Sequence, residues 1–250
     1  MGREGSEALR VGLDLGMTHI DTAEMYGDGE AERVIADVIK GRRQSVFLAS
    51  KVLPTNASYK ETLRACDASL KRLNTDYLDL YLLHWPSSTH PIGETMRAME
   101  ELVRTGKIRS IGVSNFEVGE LKQAQDSLTR EKIVCNQVLY HMESRGIEYR
   151  LLKYCESQKI SVVGYSPFGK GSFPEKALSV IGRQYGKTAR QVALNFLTCR
   201  PSLFAIPKAS NVDHVRENAG SVGWELSPDD LKEIDRLLPP PKHEEPLDMA

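Results

Sequence analysis

Residues 77–85 read YLDLYLLHW, an almost continuous apolar run that ends in a polar histidine and a tryptophan. Strands that are buried on both faces of a parallel sheet have this composition, because helices cover the sheet on both sides. Similar runs occupy residues 18–23, 46–51, 108–116, 133–141, 160–168 and 203–208. The sequence therefore predicts seven parallel strands.

Amphipathic helices are predicted between these strands. Residues 93–107 carry apolar side chains at helical spacing and include Gly106, a residue suited to the position just after a helix. Residues 175–200 form a longer stretch that Gly186 is expected to divide, and Ser227 is a suitable N-cap for a last helix. Strands and helices that alternate at about thirty residues per unit indicate a parallel α/β fold. On this pattern alone, a doubly wound sheet and a (β/α)8 barrel both remain open.

The composition suits a globular chain with no general attraction to nucleic acid or membranes. The chain has 250 residues, 40% of them hydrophobic, and a formal net charge of −1. No apolar run approaches the roughly 20 residues that cross a bilayer, and no secretory signal is recognisable. We expect one domain over residues 1–250 with an extended tail at 239–250. We also expect a cytoplasmic location with four reduced cysteines.

Polar side chains lie at the carboxyl ends of the predicted strands, except that Gln137 lies inside the fifth. They are Asp21, Lys51, His84, Asn115, Gln137, Tyr165, Ser166 and Lys208. Each has an ordinary explanation when taken alone: Asp21 could cap a helix, a lysine after a strand is usually solvated, and His84 could be a packed core residue. Because active sites of parallel barrels form at the carboxyl ends of the strands, the joint pattern predicts a site.

Other motifs give weak signals. The stretch GDGEAE (27–32) resembles the first half of a dinucleotide-binding GxGxxG motif but lacks its last glycine. The stretch GRQYGKT (182–188) has three residues between its glycines where a phosphate-binding loop needs four. No cysteine and histidine cluster has metal-ligand spacing, and no GxSxG motif is present.

Several motifs, taken in order along the chain, resemble the aldo-keto reductases. They are IDTAEMYG (20–27), Lys51 in ASKV, His84 in LLHWP, GVSNF (112–116), NQVLYH (136–141), GYSPFG (164–169) and IPKASNVDHVREN (206–218). The resemblance runs from about residue 6 to 238. It implies a (β/α)8 barrel, the TIM-barrel fold, and an NADPH-dependent oxidoreductase that reduces aldehydes or ketones to alcohols.

The resemblance also assigns a catalytic set of four residues: Asp21, Tyr26, Lys51 and His84. Hydride passes from the nicotinamide to the carbonyl carbon, and the oxygen then needs a proton, which Tyr26 would donate. A free phenol is a weak acid, with a pKa of about 10, and a nearby ammonium group favours its ionised form. Lys51 would supply that ammonium group and Asp21 would hold it in place. His84 would donate a hydrogen bond to the carbonyl oxygen.

Further residues match positions of the family that contact the nicotinamide and the substrate. Ser114, Asn115 and Gln137 match the residues that bind the nicotinamide amide. Tyr165 matches the aromatic ring that stacks on the nicotinamide, and Trp85 matches a wall of the substrate pocket.

The remaining cofactor contacts implied by the resemblance lie at the phosphates and the adenine. They are Ser166, Phe168 and Gly169 near the pyrophosphate, Lys208 near the 2′-phosphate with Ser210 and Asn211 beside it, and Glu217 and Asn218 at the adenine. His214 stands where many members carry an arginine that supports the 2′-phosphate. We therefore expect NADPH as the first cofactor, with NADH tolerated.

The beginning of the chain departs from the family pattern. The family normally starts with a β-hairpin and a first barrel strand, whereas here residues 6–16 match the first helix. We expect a barrel that lacks this hairpin and strand, with unpaired edges at the strands of Ile20 and Ile206. A monomer is favoured unless these edges pair, and both stability and cofactor affinity should suffer.

Two other functions remain open at this point. One is an NADP(H)-binding regulatory barrel subunit with little or no turnover, and the other is an aldolase that forms a Schiff base on Lys51. The complete set of four residues favours the reductase. The short loops, such as residues 86–94, predict an open pocket for small aldehydes or ketoaldehydes.

Overall fold

The computed structural model describes residues 3–169 and 173–249. Contacts group the chain into two compact units, Met1–Asn136 and Gln137–Ala250. The boundary falls inside a strand, so that strand contributes residues to both units. The expectation of a single domain stays a prediction.

Seven strands are found within the described residues, one in each predicted run. They are β1 His19–Asp21, β2 Phe47–Val52, β3 Leu80–Leu83, β4 Ile111–Ser114, β5 Ile133–Leu139, β6 Ser161–Tyr165 and β7 Leu203–Ala205. In the sheet they follow one another in the order of the sequence. Most are shorter than the apolar runs that predicted them, because the last residues of those runs lie in the loop that follows the strand; β2 is the exception and ends at Val52.

Ten α-helices lie before, between and after these strands in the described part of the chain, with two between β6 and β7 and two after β7. They are α1 Arg3–Asp14, α2 Glu30–Ile39, α3 Tyr59–Leu73, α4 Ile92–Arg104, α5 Val118–Asp126, α6 Leu151–Gln158, α7 Glu175–Tyr185, α8 Ala189–Leu197, α9 Val212–Ala219 and α10 Pro228–Leu237. None of the helices in the described ranges is long and apolar enough to cross a membrane.

The helix ends confirm the predicted start and stop signals. Gly106 follows α4 with a φ of +75°, and Gly186 ends α7 with a φ of +63°, so both use the left-handed region that favours glycine. The next helix, α8, begins after Thr188, whose side chain accepts a hydrogen bond from the Gln191 amide. Ser227 caps α10 in the same way. GRQYGKT is therefore a junction between two helices, not a phosphate loop.

In the first unit, β1 to β4 are parallel and in matched register. Ile20 lies opposite Leu48 and Ala49 lies opposite Leu80, so the carboxyl ends of these strands reach the same edge. At Gly112 on β4 an added Cβ would come within 3.1 Å of the Leu80 and Leu82 side chains. A side chain there would crowd the tightly packed interior.

In the second unit, β6 pairs in parallel with β7, and α7 packs against α8. Within the described residues 238–249 the chain forms no helix, in keeping with the expected tail at 239–250. The tail is attached to its own unit by a hydrogen bond from Ser144 to Asp248, at 2.5 Å, and by an ion pair between Arg150 and Glu244, at 2.8 Å.

Candidate active site

Lys51 and Asp21 form a buried ion pair at the carboxyl ends of β2 and β1. The Lys51 side chain has no exposed surface, and that of Asp21 is 8% exposed. Lys51 Nζ donates to Asp21 Oδ1 at 2.5 Å and to the Thr22 carbonyl at 2.9 Å. A fully buried ammonium group needs such partners, because removing it from water is costly. The readings of Asp21 as a helix cap and of Lys51 as a solvated lysine do not hold.

Tyr26 lies beside this ion pair in the loop between β1 and α2. Its hydroxyl accepts a hydrogen bond from Lys51 Nζ at 3.4 Å, and its ring centre is 5.0 Å from the same nitrogen. Tyr26 itself is 37% exposed. A phenol that faces solvent on one side and a buried ammonium on the other is placed to give a proton to a bound molecule.

His84 follows β3 and faces Tyr26. The two rings meet edge to face with their centres 5.7 Å apart, and Trp85 lies 4.9 Å from the imidazole. The pKa of His84 is lowered to about 4, first by burial and second by the nearby Lys51 ammonium. The imidazole is therefore neutral at pH 7. Its Nδ1 atom is buried and has no hydrogen-bond partner among the described residues.

The other predicted residues of the first unit surround this group. Ser114 is buried at the end of β4, and Asn115 follows with a φ of +59°, an unusual conformation for a non-glycine residue. The Asn115 amide donates to the His84 carbonyl at 3.3 Å and to Ser114 Oγ at 3.2 Å. The left-handed turn thus places both polar side chains at the same edge as His84.

Glu24 is a supporting residue that the sequence reasoning did not assign, although it lies inside the quoted motif. Its Oε1 atom accepts from the Leu53 amide at 2.7 Å and from Asn56 Nδ2 at 3.0 Å. This carboxylate joins the loop of Tyr26 to the segment that follows β2. An acidic residue between Asp21 and Tyr26 was visible in the sequence. Its partners lie some thirty positions away, so the sequence did not indicate the supporting role.

In the second unit, the residues predicted for nicotinamide and pyrophosphate cluster around the end of β6. Tyr165 is half-buried, and Ser166 follows with a φ of +51°. The turn closes through a hydrogen bond from the Gly169 amide to the Ser166 carbonyl, at 2.9 Å. Phe168 lies in this turn under the guanidinium of Arg190, at 4.5 Å. Gln137 is buried in β5.

The residues predicted for the 2′-phosphate and the adenine lie before and along α9. Four of these residues are exposed: Lys208, Ser210, Asn211 and His214. Glu217 is half-buried, and Asn218 is buried. Asn211 caps the helix by accepting from the Asp213 amide at 2.6 Å. A helix N-terminus with an adjacent lysine is a suitable environment for a phosphate group.

Metal and thiol chemistry find no support in the described residues. No group of three metal-ligating side chains is found among them. All four cysteines are free, and three of them are buried. Burial raises the pKa of Cys66 and of Cys155 to about 12, so these thiols stay protonated packing groups.

The aldo/keto reductase family model matches residues 3–239 of this chain. The chain therefore belongs to the aldo/keto reductase family, and it is an oxidoreductase of carbonyl groups. The predicted family and fold class are confirmed. Seven parallel strands of the (β/α)8 barrel fold lie within the described residues.

Individual relatives are similar over almost their whole length. Methylglyoxal reductase YeaE of Escherichia coli (strain K12) is 43% identical over 262 residues, which cover 100% of this chain and 92% of that protein. Glyoxal reductase of Bacillus subtilis (strain 168) is 35% identical, covering 94% of this chain and 84% of that protein. A crystal structure of an aldo/keto reductase from Klebsiella pneumoniae in complex with NADP and acetate is 42% identical. It matches with a TM-score of 0.92 and covers 99% of this chain and 89% of that chain.

Proposed function

We propose that this protein is an NADPH-dependent reductase of small dicarbonyl compounds, with methylglyoxal and glyoxal as the first candidates. The observation that carries the proposal is the contact of a partly exposed Tyr26 hydroxyl with the buried Lys51 ammonium, at 3.4 Å. Two relatives are named for methylglyoxal and glyoxal, and two similar crystal structures contain NADP or NADPH.

Tyr26 is the proposed proton donor. Reduction would use a hydride from bound NADPH at the carbonyl carbon, which would leave negative charge on the carbonyl oxygen. Tyr26 gives its proton to that oxygen and becomes a phenolate. Lys51 stabilises the phenolate because its ammonium group lies against the hydroxyl. Asp21 keeps the ammonium charged and in position through the 2.5 Å contact.

His84 orients the substrate in this proposal. Because its pKa is about 4, the ring is neutral and donates from only one nitrogen. With Nδ1 buried and unpartnered among the described groups, a proton on Nε2 is the one available to the carbonyl oxygen. A neutral donor polarises the carbonyl without competing with Tyr26 as the acid. The Trp85 ring beside it would form an apolar wall for the substrate.

Lys51 is poorly suited to the aldolase alternative. Schiff-base formation needs a neutral amine with a free lone pair. Here Nζ donates to Asp21, to the Thr22 carbonyl and to Tyr26, which uses all three protons of an ammonium group. This hydrogen-bond pattern favours the reductase.

The cofactor contacts are proposed for each unit by itself. In the first unit, Ser114 and Asn115 offer a hydroxyl and an amide that would bind the nicotinamide amide. In the second unit, Gln137 would also bind the nicotinamide amide, and Tyr165 would stack on the nicotinamide ring. The phosphate and adenine contacts would be Ser166, Phe168, Gly169, Lys208, Ser210, Asn211, His214, Glu217 and Asn218. An exposed His214 in place of an arginine weakens the preference for the 2′-phosphate, so the proposal has NADPH as the first cofactor and NADH as a tolerated substitute.

The test is NADPH oxidation by the purified chain with methylglyoxal, glyoxal and a monoaldehyde of similar size. We expect turnover with the dicarbonyls, and loss of turnover in Tyr26→Phe by about 10²- to 10⁴-fold. Tyr59→Phe is the matched control, since Tyr59 is also exposed, at 40%, but lies on α3. Full activity in Tyr26→Phe would contradict the proposal, and turnover only with the monoaldehyde would contradict the substrate class.

Two finer properties belong to the same proposal. We propose that the protein is a monomer. Light scattering during gel filtration would measure its mass, and pairing of the outer edges of β1 or β7 would give the mass of a dimer.

We also propose a cytoplasmic location, in keeping with the four free cysteines. Cell fractionation with an antibody against the chain would test it.

A further inference from the structure

Glu32 on α2 is a fully buried carboxylate outside the four proposed catalytic residues. It has no exposed surface. Its Oε1 atom accepts from Ser50 Oγ at 2.7 Å, and its Oε2 atom accepts from Arg72 Nε on α3 at 2.5 Å. Both oxygens are thus used, by partners on two different elements. An amphipathic helix needs only apolar side chains on its buried face, so a buried carboxylate with two fixed partners needs another explanation.

Ser50 connects Glu32 to the strand that carries Lys51. The two residues are neighbours in β2, and successive side chains of a strand point to opposite faces. Ser50 therefore reaches α2 on the outer face while Lys51 reaches Asp21 and Tyr26 on the inner face. The hydrogen bond to Glu32 restrains the strand at the residue before Lys51.

Arg72 connects Glu32 to the loop that carries Tyr26. At Gly29 a Cβ atom would lie only 2.5 Å from Arg72 Cδ, so the arginine passes directly over the loop backbone. Gly27, Asp28 and Gly29 all have positive φ angles, of 60°, 51° and 84°. This tight turn begins directly after Tyr26, and the Ala31 amide donates back to the Tyr26 carbonyl at 3.2 Å.

We propose that Glu32 is a positioning residue that fixes the distance between Tyr26 Oη and Lys51 Nζ. The inference rests on the proposed function, because it concerns the same proton donor. A buried ion pair adds little net stability compared with well-packed apolar residues, and an apolar residue at position 32 would not tie the strand to the turn. At 3.4 Å the contact between Lys51 and Tyr26 is already long for a hydrogen bond, so a small shift would weaken it strongly.

Two variants separate the links. Ser50→Ala removes only the bond to β2 and leaves the pair of Glu32 and Arg72 intact. Glu32→Gln keeps the side-chain size and an oxygen for Ser50, but it places an amide donor or a neutral oxygen against Arg72. Asp79→Asn is the matched control, because Asp79 is also a buried carboxylate with two arginine partners, and it lies at the opposite ends of the strands.

For Ser50→Ala we expect kcat to fall about three- to tenfold, the range of one lost hydrogen bond, with both KM values within about twofold. The charged and titratable groups around the Tyr26 hydroxyl are Lys51 from β2, Asp21 from β1 and His84 from β3, and none of these is changed. Glu32→Gln should show the larger effect in the same direction.

A second readout does not need turnover. Crystal structures of the wild type, Ser50→Ala and Asp79→Asn give the distance between Tyr26 Oη and Lys51 Nζ directly. We expect this distance to lengthen in Ser50→Ala and to stay unchanged in Asp79→Asn. If the wild type fails to reduce any carbonyl while this lengthening is present, the proposed function fails and the positioning role stands.

An unchanged kcat together with an unchanged distance between Tyr26 Oη and Lys51 Nζ in Ser50→Ala would overturn the inference, even if its melting temperature falls. Such a result would make Glu32 a stabilising residue only. Because Ser50→Ala is a small change, it decides the matter even if Glu32→Gln does not fold.

Discussion

Asp21 and Asp79 are two carboxylates of the first unit with almost equal burial, at 8% and 7% of the side chain exposed. Asp21 lies at the carboxyl end of β1 and pairs with Lys51. Asp79 lies at the amino end of β3 and pairs with Arg43 and Arg109, each at 2.8 Å. Asp21 and Lys51 join β1 to β2, and Asp79 joins the start of β3 to the segments that precede β2 and β4, yet we assign chemistry only to the pair of Asp21 and Lys51.

The two carboxylates differ in whether a reactive side chain lies next to their ion pairs. Beside Asp21 and Lys51 lies Tyr26, a partly exposed phenol that contacts the buried cation and is the proposed proton donor. Around Asp79, the two guanidinium groups pack on Tyr77, at 3.9 and 4.0 Å from its ring centre, and the carboxylate also accepts from the Leu48 amide. These groups are used in holding strand ends together. A buried ion pair indicates an active site only when a reactive group stands next to it.

Replacement of Lys51 by methionine should have the largest effect. Methionine keeps much of the length but removes the cation from Tyr26 and leaves Asp21 buried without its partner. We expect kcat to fall by about 10²- to 10⁴-fold and the free energy of unfolding to fall by about 3–5 kcal/mol. Steady-state kinetics and urea unfolding measure the two effects. An active Lys51→Met protein would show that the pair of Asp21 and Lys51 is structural, like the ion pairs of Asp79.

His84→Gln should have the next largest effect on catalysis. The change removes a neutral donor that faces the proposed carbonyl position, and one such donor contributes about 10²- to 10³-fold to kcat. NADPH binding, followed by quenching of the two tryptophans, should remain. If kcat is unchanged while KM rises, His84 shapes the pocket and does not act on the reacting oxygen.

Asp79→Asn should lower stability and leave catalysis intact. The amide keeps an oxygen for the Leu48 backbone but loses the charge that binds two arginines, which we expect to cost about 1–3 kcal/mol of unfolding free energy. Its kcat should stay within about twofold of the wild type at a temperature where both are folded. A selective loss of kcat would show that the amino ends of the strands also affect the chemistry.

The pH dependence of stability tests the burial of His84 in the folded protein. His84 has its pKa lowered to about 4 in the folded protein, by burial first, whereas an unfolded histidine titrates near 6.5. The unfolded chain therefore binds more protons between these values, and stability should fall as the pH drops from about 6.5 to about 4. His84→Gln should reduce this slope. His19 and His141 also have lowered pKa values, so part of the slope should remain. Equal slopes in both proteins would contradict the burial of a neutral imidazole.

Much of the fold was predictable from local pattern. All seven apolar runs contain a strand, and Gly106, Gly186 and Ser227 end or begin helices where their conformational preferences require. These signals are short in range and depend on one or a few neighbouring residues. They predict the elements and their order, which in a parallel α/β fold also fixes which ends of the strands meet.

The site was predictable in part. The quoted motifs indicated Asp21, Tyr26, Lys51 and His84, and in the first unit the structure brings these four side chains together. The supporting carboxylate of Glu32 could not be predicted, since a glutamate near a helix start is usually solvated. Its partners Ser50 and Arg72 lie 18 and 40 positions away, and only the folded structure shows that pairing.

The most direct measurement is the single-turnover rate of NADPH oxidation by Tyr26→Phe, with the cofactor bound before methylglyoxal is added. This design separates the chemical step from cofactor binding and product release. The account predicts an unchanged amplitude of tryptophan quenching by NADPH and a rate constant lower than that of the wild type by about 10²-fold or more. A rate constant equal to that of the wild type would contradict the assignment of Tyr26 as the proton donor.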